Sequence, residues 1–150
     1  MQQLSSASAR ASKPRSRSYS LPERSEYQEQ VAIFEWAEIA KSELPELDFL
    51  IGSLNGIRLS IGSAVKAKRA GLKRGYPDIA LDVPRSRNLG QDSSFWHGLR
   101  IELKTKKGTI SPEQATWIAN LQRNGYRAVV CRSAGEAISE ITSYLKGLYS

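Results

Sequence analysis

Residues Leu99–Gly108 read LRIELKTKKG. Leu99, Ile101 and Leu103 alternate with Arg100, Glu102 and Lys104. This is the period-two pattern of a strand that is apolar on one side and charged on the other. Side chains two apart share a face, so Glu102 and Lys104 emerge together, their Cα atoms about 6.6 Å apart. One magnesium ion with its water shell fits that spacing. A carboxylate is a hard oxygen ligand, and a lysine ammonium can offset charge or position an attacking water. Alone, an E-x-K pair on a strand usually means a solvated salt bridge worth about 0–1 kcal/mol. The flanking segments therefore decide between the two readings.

Upstream stands GYPDIAL, residues 75–81. Proline fixes its own φ and biases Tyr76 towards extended backbone, while Gly75 permits an unusual conformation just before it. Such stiffness suits a strand start that must aim a carboxylate. If this strand pairs with the next, Asp78 and Glu102 converge on one metal. Asp82 falls on the Asp78 face four residues on, a lesser candidate because it sits further along the strand.

Downstream, SPEQATWIANLQRNG (111–125) carries strong helix punctuation. Ser111 caps, Pro112 takes the first helical position, Gln114 closes the capping box and Gly125 ends the helix. That cap explains Gln114 and leaves it at most a supporting role. YRAVVCR (126–132) predicts a strand in which Cys131 packs, and Ser133 and Glu136 cap a last helix to about Lys146. At the other end, SEYQEQVAIFEWAEIAK (25–41) predicts a helix with Ser25 as N-cap and Gln28 completing the box. Tyr27, Val31 and Phe34 form one stripe on it, and Gln30, Ile33 and Ala37 an adjacent one. Pro45 breaks this helix. LDFLIGSL (47–54) predicts a first strand, Asn55-Gly56 a turn, and Ala64–Ala70 a short helix. RSRNLGQDSSFWHG (85–98) reads as a polar connection. The resulting order is helix, strand, short helix, strand, strand, helix, strand, helix, which predicts a mixed α/β domain with a central sheet.

The chain has 150 residues, enough for one domain with one core. Its net charge of +7 and pI of about 9.7 favour polyanionic partners, nucleic acid first. Lys66, Lys68, Arg69, Lys73 and Arg74 lead straight into the Asp78 strand, and Lys106 and Lys107 follow the Glu102 strand. These cations are candidates for phosphate contacts. Residues 1–24 are rich in Ser and Arg and predict a disordered basic arm, leaving 25–150 as the folded domain. No apolar run is long enough to cross a bilayer, and the first residues lack the apolar core of a signal peptide. A single cysteine excludes an intrachain disulfide and, with one histidine, argues against a zinc finger. An intracellular, cytoplasmic setting is expected. His97 reads as a loop residue, Trp36 and Trp117 as helix residues packed in a core or interface, and Tyr76 and Trp96 as aromatics near the site.

The ordered set formed by Glu26 and Gln30, Gly75-Tyr76-Pro77-Asp78, Glu102 and Lys104, and Ser111–Gln114 resembles the VRR-NUC domain. That family is a branch of the PD-(D/E)xK nuclease superfamily. The resemblance runs over about residues 25–145. It implies a restriction-endonuclease-like α/β core with a central mixed sheet flanked by helices, and a metal-dependent phosphodiesterase. By the same resemblance Asp78 and Glu102 would bind Mg2+ or Mn2+ with the backbone carbonyl of Leu103. Glu26 would complete the metal site, Lys104 would orient the attacking water, and Gln30 would point at the same place. The small stand-alone phage or bacterial form is the expected type. The expected substrate is branched DNA, foremost a four-way junction cut by a homodimer. A flap or nicking nuclease and a non-catalytic DNA-binding recombination accessory protein are the alternatives.

Overall fold

The computed structural model describes residues 23–53, 59–87 and 94–149. The arm expected over 1–24, apart from its last two residues, and the Asn55-Gly56 turn lie outside them. Helix α1 (Glu26–Ala40) begins at the expected N-cap. The Ser25 hydroxyl accepts from the Gln28 N–H at 3.2 Å, and Gln28 Oε1 accepts from the Ser25 N–H at 2.9 Å. Helix α3 (Pro112–Arg123) starts the same way, with Ser111 and Gln114 bonded reciprocally and Pro112 at the first position. Helix α4 (Ala134–Lys146) is capped by Ser133, whose hydroxyl accepts from the Glu136 N–H.

Among the described residues the main sheet has four strands, each paired with the next in the order that follows. Strand β1 (Leu50–Gly52) is antiparallel to β2 (Ile79–Leu81), and β2 to β5 (Leu99–Leu103); β5 runs parallel to β6 (Arg127–Cys131), connected through α3. Leu99, Ile101 and Leu103 join Ile79, Leu81 and Cys131 in a core closed by Ile33 and Ala37 of α1 and by Ala137, Ile141 and Tyr144 of α4. Helix α3 packs against β6, and its Gln114 side chain reaches Glu102 on β5. The sheet thus lies between the α1/α4 pair and α3.

Several expectations about local structure change. The stretch 47–54 is not one strand. Pro45 opens a 3₁₀ turn over Pro45–Phe49 that buries Leu47, and only Leu50–Gly52 pairs in the sheet. A proline's locked φ suits the first position of such a turn, and its missing N–H could not serve a ladder. Helix α2 (Ile61–Arg69) starts three residues earlier than Ala64, because Ser60 caps it by accepting from the Ser63 N–H. The polar connection 85–98 contains a short hairpin, β3 (Arg85–Ser86) with β4 (Phe95–Trp96), too brief for a period-two signal. On α1 the Ile33/Ala37 stripe is the buried one, while Tyr27 and Val31 remain exposed. Above all, β5 is not half-buried: all five of its residues are buried, Arg100 and Glu102 included.

Candidate active site

The site is assembled at the carboxyl end of β5. Asp78 directly precedes β2, and the antiparallel register that sets Ile79 opposite Ile101 brings it beside Glu102 and Leu103. Its Oδ2 accepts the Leu103 N–H at 2.8 Å, and its carbonyl accepts the Ser53 N–H at 2.7 Å. The approach to Asp78 is fixed on both sides. Gly75 adopts φ +80°, and a Cβ there would lie 2.9 Å from the Glu113 carbonyl carbon, so the chain passes flush against the start of α3. Trp117 donates its indole N–H to the Arg74 carbonyl and sets its ring edge-on to Tyr76, with centroids 5.1 Å apart. The Tyr76 hydroxyl accepts from Arg100 Nε at 2.8 Å. Arg100 in turn holds Asp82 at 2.7 Å, so Asp82 belongs to that pair and not to the metal candidates.

Lys104 is 6% exposed and Glu102 only 1%. The Lys104 ammonium donates to Glu102 Oε1 at 2.5 Å and to the Leu103 carbonyl at 2.8 Å, and stands 3.7 Å from Glu26 Oε1. Gln114 Nε2 also donates to Glu102 Oε1. The second oxygen, Glu102 Oε2, is buried and lacks a hydrogen-bond partner among the described residues. Burial drives the Glu102 carboxyl from its ordinary 4.5 up to about 7, against the opposing pull of Lys104, and the neighbouring Asp78 adds to the rise. Asp78 is raised as well, again by burial, with the Leu103 N–H acting in the opposite direction. Two carboxyls crowded into a dry site resist being ionised together.

These groups line a cleft of about 250 Å³, with Glu26, Arg74 and Tyr76 at its margin. A buried carboxylate oxygen without a donor is costly unless something cationic meets it. Glu102 Oε2 and Asp78 offer the hard oxygen atoms that Mg2+ or Mn2+ prefers. Magnesium commonly takes one or two carboxylates, keeps several waters and accepts substrate phosphate. The donor set fits such an ion. Among the described residues no three His, Cys, Asp or Glu side chains form a ready metal cage. Glu26, half-exposed at the rim, receives the Thr105 N–H at 3.4 Å, and Lys104 stands between it and Glu102.

Of the predicted site residues, Glu26, Asp78, Glu102 and Lys104 are brought together, and the Leu103 peptide links Asp78 to Lys104. Gln30 does not line this cleft. Its amide lies over Gly52, where a Cβ would approach Nε2 to 2.8 Å, and it borders a separate groove with Tyr27, Val31 and Phe34. Lys66, Lys68, Arg69, Lys73 and Arg74 are all exposed, and Arg74 reaches the margin of the cleft. Lys106 and Lys107 are exposed on the turn after β5, whose carbonyls at Thr105, Lys106 and Gly108 are gathered by the Arg132 guanidinium. Tyr76 lies at the site; Trp96 lies elsewhere, under the Arg87 guanidinium. Two contributions exceed the sequence reading. Gln114 touches Glu102, a contact signalled only by the amide donor that its cap leaves unused. Arg100 braces Tyr76, and nothing in the strand pattern distinguishes it from a solvated cation.

Comparison with known proteins shows the family and the fold. The VRR-NUC domain model matches residues 23–135. A solved structure described as a VRR-NUC domain protein is 31% identical over 83% of this chain and 91% of that chain, with a TM-score of 0.65. No curated protein matches the chain.

Proposed function

The chain belongs to the VRR-NUC family of PD-(D/E)xK nucleases, and from that premise we propose that it is a Mg2+- or Mn2+-dependent, structure-selective DNA endonuclease. The observation that carries the reading is the buried trio Asp78, Glu102 and Lys104, with Glu102 Oε2 left without a donor among the described residues. A protein that only binds DNA gains nothing from clustered carboxylates, which repel phosphate. Asp78 and Glu102 would hold the ion, with Glu26 and the Leu103 carbonyl at its margin. When bound, the ion supplies Lewis acidity to the phosphodiester and to the attacking water. Lys104, kept in place by Glu102 and the Leu103 carbonyl, orients that water and offsets charge on the phosphate. The exposed cations from Lys66 to Arg74, with Lys106 and Lys107, track the backbone of DNA.

A four-way junction cut by a homodimer is the preferred substrate in this reading. Two copies related by a two-fold axis would match the symmetry of the junction.

The test uses labelled four-way junction, flap and linear duplex with Mg2+, Mn2+ or EDTA, beside Asp78→Ala and Lys104→Ala. Metal-dependent cutting of the junction, lost in both variants, is expected. Preferential cutting of the flap would replace the junction by a flap substrate. Wild type that binds DNA yet cuts nothing with either metal would overturn catalysis in favour of an accessory DNA-binding role. Undiminished cutting by the variants would sink the site assignment.

A further inference from the structure

We infer that Gln114 is a positioning residue for the metal site: it pins one oxygen of Glu102 so that the other faces the cation. This rests on the metal-site reading above. The side chain has two ends with two tasks. Its Oε1 accepts the Ser111 N–H at 2.9 Å, completing the cap of α3, and its Nε2 donates to Glu102 Oε1. Lys104 Nζ donates to that same oxygen at 2.5 Å. Glu102 Oε1 is thereby engaged by two donors, one from Lys104 just after β5 and one from Gln114 at the start of α3.

A carboxylate held by one donor can still rotate about its last torsion, which is broad for an sp²-terminated side chain. Two donors on a single oxygen leave one orientation. That orientation puts Oε2 in a buried position with no partner among the described residues, although the residue is 1% exposed. Packing alone does not explain the choice. An amide already spent on a cap would point its remaining donors at solvent, since the start of a helix is a surface feature. Here the carboxamide spans from the cap to a buried carboxylate. The N-terminus of α3 thus becomes a strut between the helix and the ligand, held from beneath by Gly75 pressed against Glu113 and Gln114. Partners that orient a ligand from outside the coordination sphere typically contribute 10–100-fold to metal affinity or activity.

Mn2+ binding to the full chain without DNA, followed by the electron-spin resonance of free Mn2+, tests this. Gln114→Met removes the donor and half of the cap. Ser111→Ala removes the other half of the cap and leaves the amide donor in place. Both variants should unfold cooperatively at slightly lowered temperature. Gln114→Met should bind Mn2+ about 10–100-fold more weakly, whereas Ser111→Ala should stay within about twofold of wild type. Equal affinities for the two variants would overturn the inference and reduce Gln114 to its cap. Wild type that fails to bind Mn2+, or binds it no better than Glu102→Ala, would overturn the metal-site reading and the inference together. Wild type that binds Mn2+ through Glu102, beside an unaffected Gln114→Met, would overturn the inference alone.

Discussion

Glu102, a ligand in the proposed metal site, is also a buried carboxyl whose ionisation bears on stability. Its carboxyl is raised from 4.5 to about 7 by burial. The folded chain therefore keeps a proton over a range in which the unfolded chain has lost it. The sign follows directly: this group favours folding below its ordinary value, and that contribution is lost as pH rises towards 7. Asp78, raised for the same reason, adds in the same direction. A divalent cation at the two carboxylates reverses the situation, because it binds the ionised forms. Saturating Mn2+ should therefore raise the melting temperature more at pH 8 than at pH 5, read by circular dichroism in matched buffers. Equal gains at the two pH values would remove Asp78 and Glu102 from the binding site. Lys104 is the counterpart. Its removal leaves Glu102 buried without its nearest cation, so Lys104→Ala should be less stable than wild type at pH 8 and closer to it at pH 5, where Glu102 can take up a proton.

Among the elements, the turn before β2 and the start of α3 act as one unit. Gly75 holds φ +80° with no room for a Cβ against Glu113 and the Gln114 nitrogen. Left-handed backbone costs a non-glycine residue about 1–2 kcal/mol, before any clash is counted. Gly75→Ala should thus lose at least that much in urea denaturation. It should also lower cleavage beyond what its stability explains, because the displaced backbone lies between Asp78 and Gln114. A variant with unaltered stability would show that the turn relaxes freely. Strand β5 teaches a related lesson. Its alternation correctly marks a strand and the two sets of side chains, yet the charged set is buried, not solvated. Arg100 is taken up by Tyr76 and Asp82, and Glu102 by Lys104 and Gln114.

At the scale of the molecule, exposed cations precede Asp78 at Lys66, Lys68, Arg69, Lys73 and Arg74 and follow Lys104 at Lys106 and Lys107. Helix α2 contributes no buried residue, and its last turn carries Lys66, Lys68 and Arg69. With none of its residues buried, its cations are open to a phosphate backbone. Replacing all three by alanine should weaken DNA binding and make the slope of log K against log salt shallower by about 0.9 for each cation that touches a phosphate. An unchanged slope would place the DNA on another face. No helix among the described residues is long and apolar enough to cross a membrane.

Legible in the letters were the helices with reciprocal caps at Ser25 and Ser111, the strand at Leu99–Leu103, and Asp78, Glu102 and Lys104 as candidates; Glu26 joined them only through the family resemblance. The caps and the strand are local: capping residues, periodicity and proline act within a few residues, so adjacent letters reveal them. Tertiary structure showed the rest. It revealed 45–49 as a 3₁₀ turn and a hairpin in a polar connection. It placed Gln30 over Gly52, away from the cleft, and brought Gln114 onto Glu102. The turn follows from Pro45 and the hairpin strands are too short to show a period, whereas the places of Gln30 and Gln114 depend on which distant elements their helices cover. Burial is likewise a property of three-dimensional neighbours. A charged strand face looks the same in sequence whether water or other side chains meet it, and here Tyr76 and Tyr126 meet Arg100 while Lys104 and Gln114 meet Glu102.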